Sequence, residues 1–252
     1  MHLEQTLHQM RSMRLAAMAV CLEQRIKNGD HRDLSHEEFI SLLVEDEFTS
    51  RKNRRLSRMI GRANFKPQQA CIENIHYDSN RGFAKTDIMQ FKSKTWIENS
   101  QHVIITGPTG TGKTYIAEAI GLHACKIGYP AQKIRYKKLF EEIQAAKGTG
   151  VYLNYLQKLQ KIKVLIIDDF AMQPITRDQL CELMELIEER DQLGPVIITT
   201  QYPPNKWHSL FDDPTIADAI CDRLIPIAIK LNLKGKSLRG KKEEDSKITC
   251  TK

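Results

Sequence analysis

Residues 107–114 read GPTGTGKT, set between an apolar run, HVIIT (102–106), and a helical pattern reaching about Lys126. The spacing G-x-x-x-x-G-K-T in a strand–turn–helix setting is the signature of a phosphate-cradling loop. On average residue frequencies a chance match would arise in roughly one protein of this length per hundred, and the flanking elements lower that further. Gly107, Gly110 and Gly112 let backbone N–H groups close around phosphate oxygens at the positive end of a helix dipole. Lys113 is placed to reach β- and γ-phosphates, and the Thr114 hydroxyl to complete a Mg²⁺ site. The nucleotide-contacting run is therefore Gly107, Pro108, Thr109, Gly110, Thr111, Gly112, Lys113, Thr114 and Tyr115, with ATP and Mg²⁺ as its ligands.

A loop of this kind belongs to a parallel sheet covered by helices, and the chain from 101 onward has that strand–helix rhythm. Strands are expected at 102–106, QKIRY (132–136), KVLIID (163–168), PVIITT (195–200) and IPIAIKL (225–231). A helical break is expected at GTG (148–150), and TRDQ (176–179) should cap a helix whose Leu180, Leu183, Met184 and Ile187 share a face. VLIIDDF (164–170) ends in two adjacent carboxylates. In folds with such a loop, a strand beside the loop strand delivers an aspartate to the Mg²⁺ shell; Asp168 fills that place. Asp169 is left to orient or polarise an attacking water. Thr200 and Gln201, at the end of a strand expected next to that of Asp168, are candidates to sense the γ-phosphate or hold the water. Arg223 and Arg239 have no evident helical acid partner and could neutralise charge on a phosphoryl group, in cis or from a neighbouring subunit.

Ahead of the core the chain reads as helical. Leu3, Leu7, Met10, Arg14, Ala17 and Cys21 recur at three- and four-residue steps. SHEE (35–38) forms a capping-box pattern, Ser35 with Glu38, opening a helix with Phe39, Leu42 and Leu43 inward. Pro67 marks a boundary, and another helix is expected around 87–97.

The net charge of +7 points to a polyanionic partner, and its placement says more. Arg51 to Lys66 carries seven basic residues and no acidic one, and KLNLKGKSLRGKK is also free of acid. Arg51, Lys52, Arg54, Arg55, Arg58 and Arg62 form either a solvated surface or, beside an ATPase core, a face for DNA, whose phosphates give affinity without base readout. Lys133, Arg135, Lys137 and Lys138 form a second candidate patch. The longest apolar runs are strand-sized, far short of the roughly 20 residues of a membrane helix. No signal-peptide block is present, so a cytoplasmic location and no membrane partner are expected. The six cysteines show no CxxC pair and are read as reduced thiols.

The segments GPTGTGKT, LIIDDF, IITTQYPPNKWH, DPTIADAICDRL and LKGKSLRG, in this order, resemble the AAA+ ATPases of the IstB transposition-helper family. The helicase loaders of the DnaC type are similar but more distant. MRSMRLAAMA and RRLSRMIGRANFKPQQACIENI resemble the same helper family, so the likeness spans nearly the whole chain. It implies an α/β fold: an AAA+ P-loop core with a five-stranded parallel sheet flanked by helices, preceded by a small all-helical domain. It divides the chain into a helical DNA-binding and assembly domain (1–66), a linker with a helix (67–100) and an ATPase domain with a basic tail (101–252). It also assigns Gln201 or Thr200 as sensor 1, Arg223 as an arginine finger acting across a subunit interface, and Arg239 as sensor 2. It further implies an ATP-dependent homo-oligomer on double-stranded DNA, delivering that DNA to a cognate transposase. Most AAA+ enzymes carry glutamate where this chain has Asp169, and asparagine at sensor 1, so slow hydrolysis is expected. Three other readings stand beside this one: a replicative helicase loader, a small-metabolite P-loop kinase, and an adaptor that holds ATP as a structural clamp.

Overall fold

The computed structural model describes residues 2–30, 32–66, 70–77, 79–173, 175–190 and 192–238. Pro67, Arg239 and Cys250 lie outside them. The chain divides into two compact units, residues 1–58 and 59–252.

The first unit is helical. Its helices are α1 (His2–Ser12), α2 (Ala16–Asn28) and most of α3 (His36–Arg62). The continuous 3/4 spacing from Leu3 to Cys21 suggested one helix, but the backbone breaks at Arg14, which takes φ +62°. Leu15 N–H donates back to Met10 O at 2.8 Å and closes α1. The turn folds Leu7 and Met10 onto Ala19 and Leu22. The capping box at the start of α3 forms as read: Ser35 N–H donates to Glu38 Oε2 (2.9 Å) and Glu38 N–H to Ser35 Oγ (3.2 Å). Of the three residues expected to face inward, Leu43 is buried, Phe39 is half-buried and Leu42 is exposed. Glu47, on α3, is buried and accepts from the free N–H groups of Ala17 and Met18 at 2.9 and 3.0 Å, capping α2.

In the second unit, α4 (Lys85–Met89) and α5 (Thr95–Glu98) replace the single helix expected around 87–97, because a 3₁₀ turn at Gln90–Lys92 and an extended Ser93 intervene. These short pieces are well packed: Ile88, Phe91 and Ile97 are fully buried. Then follow β1 (Val103–Thr106), α6 (Lys113–Lys126), β2 (Ala131–Arg135), α7 (Tyr136–Gly148), α8 (Tyr152–Gln160), β3 (Val164–Phe170), α9 (Arg177–Glu189), β4 (Val196–Thr200), α10 (Pro214–Leu224) and β5 (Ile229–Asn232). The capping box of α9 joins Thr176 and Gln179 as the sequence indicates.

The strands form one parallel five-stranded sheet, ordered β2-β3-β4-β1-β5. β4 pairs with β3 as expected, but it stands between β3 and β1, so the Asp168 strand is not the direct neighbour of the loop strand. β1, β3 and β4 are buried almost throughout, which explains their continuous apolar runs. Helices cover the sheet. On one side Leu139, Ile143, Leu180, Leu183 and Trp207 pack onto Leu165 and Ile167. On α6, Gly121 leaves room for Phe65 and Ile166, either of which would lie 2.7 Å from a Cβ there. Arg190 closes α9 with a buried guanidinium whose N–H groups donate to Leu159 O, Ile162 O and Lys163 O at 2.7, 2.9 and 3.3 Å.

Candidate functional site

β1 ends at Thr106 and the chain turns through Gly107 to Gly112 into α6. Gly110 and Gly112 have φ of +85° and +93°, the left-handed region that costs a side chain strain. Gly107 passes so close to the residue that follows β5 that a Cβ would lie 2.5 Å from Leu233 O. Thr111 closes the turn through its hydroxyl, which donates to Pro108 O at 2.8 Å. Lys113 is buried, and its ammonium donates to Gly107 O and Pro108 O at 2.7 and 2.9 Å, so the cation sits inside its own loop. Pro108, Thr109 and Tyr115 are exposed.

Two hydroxyls meet the buried carboxylate of Asp168. Thr114 Oγ1, on α6, donates to Oδ1 at 2.8 Å, and Thr199 Oγ1, on β4, donates to the same atom at 2.5 Å. Asp168 makes no ion pair among the described residues, although it is only 2% exposed. The second aspartate is positioned by a backbone irregularity. Ile167 pairs with Ile198 and Phe170 with Thr200, so three steps along β3 match two along β4, and β3 carries one extra residue. Asp169 occupies this bulge at φ +58°. Bulges of this kind re-aim a side chain and concentrate beside active sites, and aspartate is among the residues that tolerate the left-handed region best. The Asp169 N–H donates to Thr199 Oγ1 at 3.1 Å, while its half-exposed carboxylate takes no hydrogen bond or ion pair among the described residues. Thr199 thus joins both aspartates to β4, while Thr114 joins Asp168 to α6.

The sequence pattern favours Thr200 and Gln201, one residue out of phase with this network. Thr200 Oγ1 donates to Phe170 O (3.0 Å) and accepts from Tyr202 N–H (3.1 Å), which commits it to the backbone. Gln201 Nε2 donates to Met172 Sδ at 2.7 Å. Thr199 escapes the sequence pattern because every residue of β4 is buried, so there is no alternation to tell its two faces apart.

Residues 8–246 match the family of IstB-like ATP binding proteins. The chain belongs to that family. Among relatives of this IstB-like chain, an insertion sequence ATP-binding protein of Sinorhizobium fredii is 34% identical over 241 residues, covering 96% of this chain and 98% of that one. An insertion sequence ATP-binding protein of Mycobacterium tuberculosis is 30% identical over 234 residues, covering 92% and 93%. Two solved structures share the fold: the DnaC helicase loader (TM-score 0.58, 20% identity, 66% of this chain and 97% of that one) and the replication initiator DnaA bound to AMPPCP and single-stranded DNA (0.59, 16%, 75% and 57%). The IstB-like chain therefore has an AAA+ P-loop core and binds ATP as its family does.

The remaining site candidates of this IstB-like protein lie away from the loop in sequence. Arg223, on α10, has an acid partner the sequence did not suggest: its Nη2 donates to Glu188 Oε1 of α9 at 2.9 Å. The pair is 42% and 51% exposed, an arrangement worth little in stability and readily exchanged for another anion. Arg239 lies outside the described residues. In the basic block, Arg51 and Arg54 reach Glu47 at 2.7 and 3.4 Å, while Lys52, Arg55 and Arg62 are exposed and make no ion pair among the described residues. Arg58 is exposed and spends its Nε on Arg54 O. In the second patch Arg135, Lys137 and Lys138 are exposed, the lysines beside Glu141 and Glu142. Lys133 is withdrawn from that patch. It is buried and ion-paired with Glu118, so its ammonium does not face solvent.

Proposed function

We propose that this IstB-like protein hydrolyses ATP, assembles on double-stranded DNA when ATP is bound, and assists a cognate transposase. The observation that carries the reading is the Thr114–Asp168–Thr199 cluster. Asp168 is 2% exposed, accepts from two hydroxyls and makes no ion pair among the described residues. Carboxylate and hydroxyl oxygens are the hard donors that Mg²⁺ accepts when phosphate and water complete its shell, so this donor set fits that ion. Thr114 and Asp168 would hold it, and when bound it would neutralise charge building on the phosphates.

The other steps belong to the chain's own side chains. Thr199 fixes the rotamer of Asp168 and, through the Asp169 N–H, the bulge. Lys113 exchanges two loop carbonyls for phosphate oxygens. Asp169 accepts a hydrogen bond from the attacking water and orients it. Arg223 gives up Glu188 to reach a neighbouring subunit's phosphates, which makes ATP binding and subunit contact thermodynamically linked. Arg239 is the second sensor. The exposed cations of α3 supply DNA affinity. The insertion-sequence names of the relatives support the transposase as client.

Sedimentation of the full-length protein with ATP and Mg²⁺, with and without duplex DNA, tests this together with phosphate release. ATP should shift the protein to larger species, DNA should raise phosphate release, and Lys113→Ala should remove both effects. Turnover indifferent to DNA and to self-association would instead identify a small-molecule phosphotransferase. Assembly without turnover would identify a nucleotide clamp.

A further inference from the structure

Arg81 lies in the stretch between the two regular parts of the chain, where no motif draws attention to it. Its guanidinium forks between two carbonyls: Nη1 donates to His76 O at 2.7 Å and Nη2 to Thr111 O, in the phosphate loop, at 2.8 Å. The same Nη2 would lie 3.2 Å from a Cβ at Gly112, so glycine is needed there for approach as well as for its φ of +93°. Arg81 is itself held in place. Its guanidinium stacks over Phe83 at 5.2 Å, and its carbonyl accepts Lys234 N–H at 2.8 Å. Gly82, at φ +79°, passes so close to β5 that a Cβ would lie 2.5 Å from Asn232 O. The neighbouring loop carbonyl, Gly110 O, is taken by Leu238 N–H at 2.9 Å. Two consecutive outward carbonyls of the loop are thus tied by segments from outside the strand–loop–helix unit, and the Lys234–Arg81 bond ties those segments together.

The peptide whose carbonyl Arg81 binds carries the Gly112 N–H at its other end. A cation on a carbonyl polarises the whole amide and makes that N–H a stronger donor. The fork also fixes the plane of the peptide. We infer that Arg81 is a nucleotide-positioning residue: it sets the Thr111–Gly112 peptide so that the loop is preorganised for the α- and β-phosphates. The inference rests on the reading of this loop as the ATP site. Backbone N–H groups of such loops cradle the phosphates that ATP and ADP share, so both nucleotides should depend on Arg81 equally.

Calorimetric titration of the full-length protein with ATP and with ADP, in Mg²⁺, tests it. Arg81→Ala should raise both Kd values about tenfold, equivalent to about 1.4 kcal/mol, and leave their ratio unchanged. Arg81→Lys keeps the charge and the stem over Phe83, but one ammonium does not reproduce the planar fork, so its Kd values should rise nearly as far. A purely structural arginine would lower the melting temperature of the unliganded protein and leave both Kd values alone. Unchanged Kd in either variant, or a change confined to ATP, overturns the inference. Lys113→Ala serves as the separate control. If wild type binds and Lys113→Ala does not, the ATP reading stands whatever Arg81 does; equal binding in both would sink that reading instead. Should Arg81→Ala not fold, Arg81→Lys carries the decision alone.

Discussion

Asp168 and Asp169 are neighbours in sequence with opposite physical situations. Asp168 is buried and takes hydroxyl donors, so its geometry is fixed by side chains. Asp169 is held by its backbone, at φ +58°, while its carboxylate is left without a partner among the described residues. On the proposed mechanism, strain at a site with an uncommitted functional group is what a residue kept for chemistry rather than stability would show. Asp169→Gly should therefore not destabilise the fold, and should stabilise it by at most about 1 kcal/mol, because relief of the Cβ penalty in the left-handed region is offset in part by the greater entropy of glycine in the unfolded chain. The same change should lower ATP hydrolysis by about a hundredfold or more, the ordinary scale of losing a general base, while ATP-dependent assembly persists. Thr199→Val should behave differently: it strands the Asp169 N–H and removes one donor from Asp168, so stability falls by about 1–3 kcal/mol along with turnover. Thermal melts and phosphate release on the two variants separate these outcomes. A less stable Asp169→Gly would refute the strain account, and one that no longer assembles would refute the division of labour.

Among the elements, α8 and α9 show how a surface-type residue becomes a structural pin. The Arg190 guanidinium closes the C-terminal end of α8 and the entry to β3 by donating to three carbonyls, and burial pushes its pKa down to about 10, where it remains cationic at neutral pH. Arg190→Met keeps the apolar volume but leaves those carbonyls unpaired, so the unfolding free energy should drop by about 3 kcal/mol or more. Chemical denaturation would show it as a lower midpoint at unchanged slope. Elements whose signals are local are legible in the sequence: the loop with its flanking strand and helix, and the capping boxes of α3 and α9, where the deciding partners lie three residues apart. Features set by long-range pairing are not. Nothing in HVIIT or VLIID says that β4 inserts between their strands, and an extra residue in β3 is defined only by its pairing with β4. The break at Arg14 is hidden because apolar spacing continues through it, the turn being chosen by the packing of α1 on α2. Arg81 is hidden for a related reason: its two carbonyl partners, 5 and 30 residues away, form no sequence pattern.

For the whole molecule, the question is which charges face a polyanion. A net charge of +7 is modest, and part of the basic block already serves the fold: Arg51 and Arg54 neutralise the buried Glu47, whose carboxylate caps α2. Burial works against that charge, but hydrogen bonds from Arg51 and the Met18 N–H prevail and hold the Glu47 pKa below its ordinary value. Lys52, Arg55 and Arg58 are, with Arg62, available to phosphates. They are exposed, and the three-residue steps of Lys52, Arg55 and Arg58 keep these three on one side of α3. Replacing all three by alanine should weaken duplex binding and flatten the plot of log affinity against log salt by about 2.7, roughly 0.9 for each phosphate no longer neutralised. Nucleotide affinity and the melting temperature should hold, since none of the three supports a buried group. The paired change Arg51→Ala with Arg54→Ala makes the contrasting control, because Glu47, left with only the Ala17 and Met18 N–H donors, should destabilise the helical unit by about 1 kcal/mol or more before any effect on DNA is considered. Salt titrations on two unrelated duplexes decide the matter. A slope that does not change in the triple variant removes α3 from the DNA surface, and a loss confined to one of the duplexes would mean that these side chains read bases rather than phosphates.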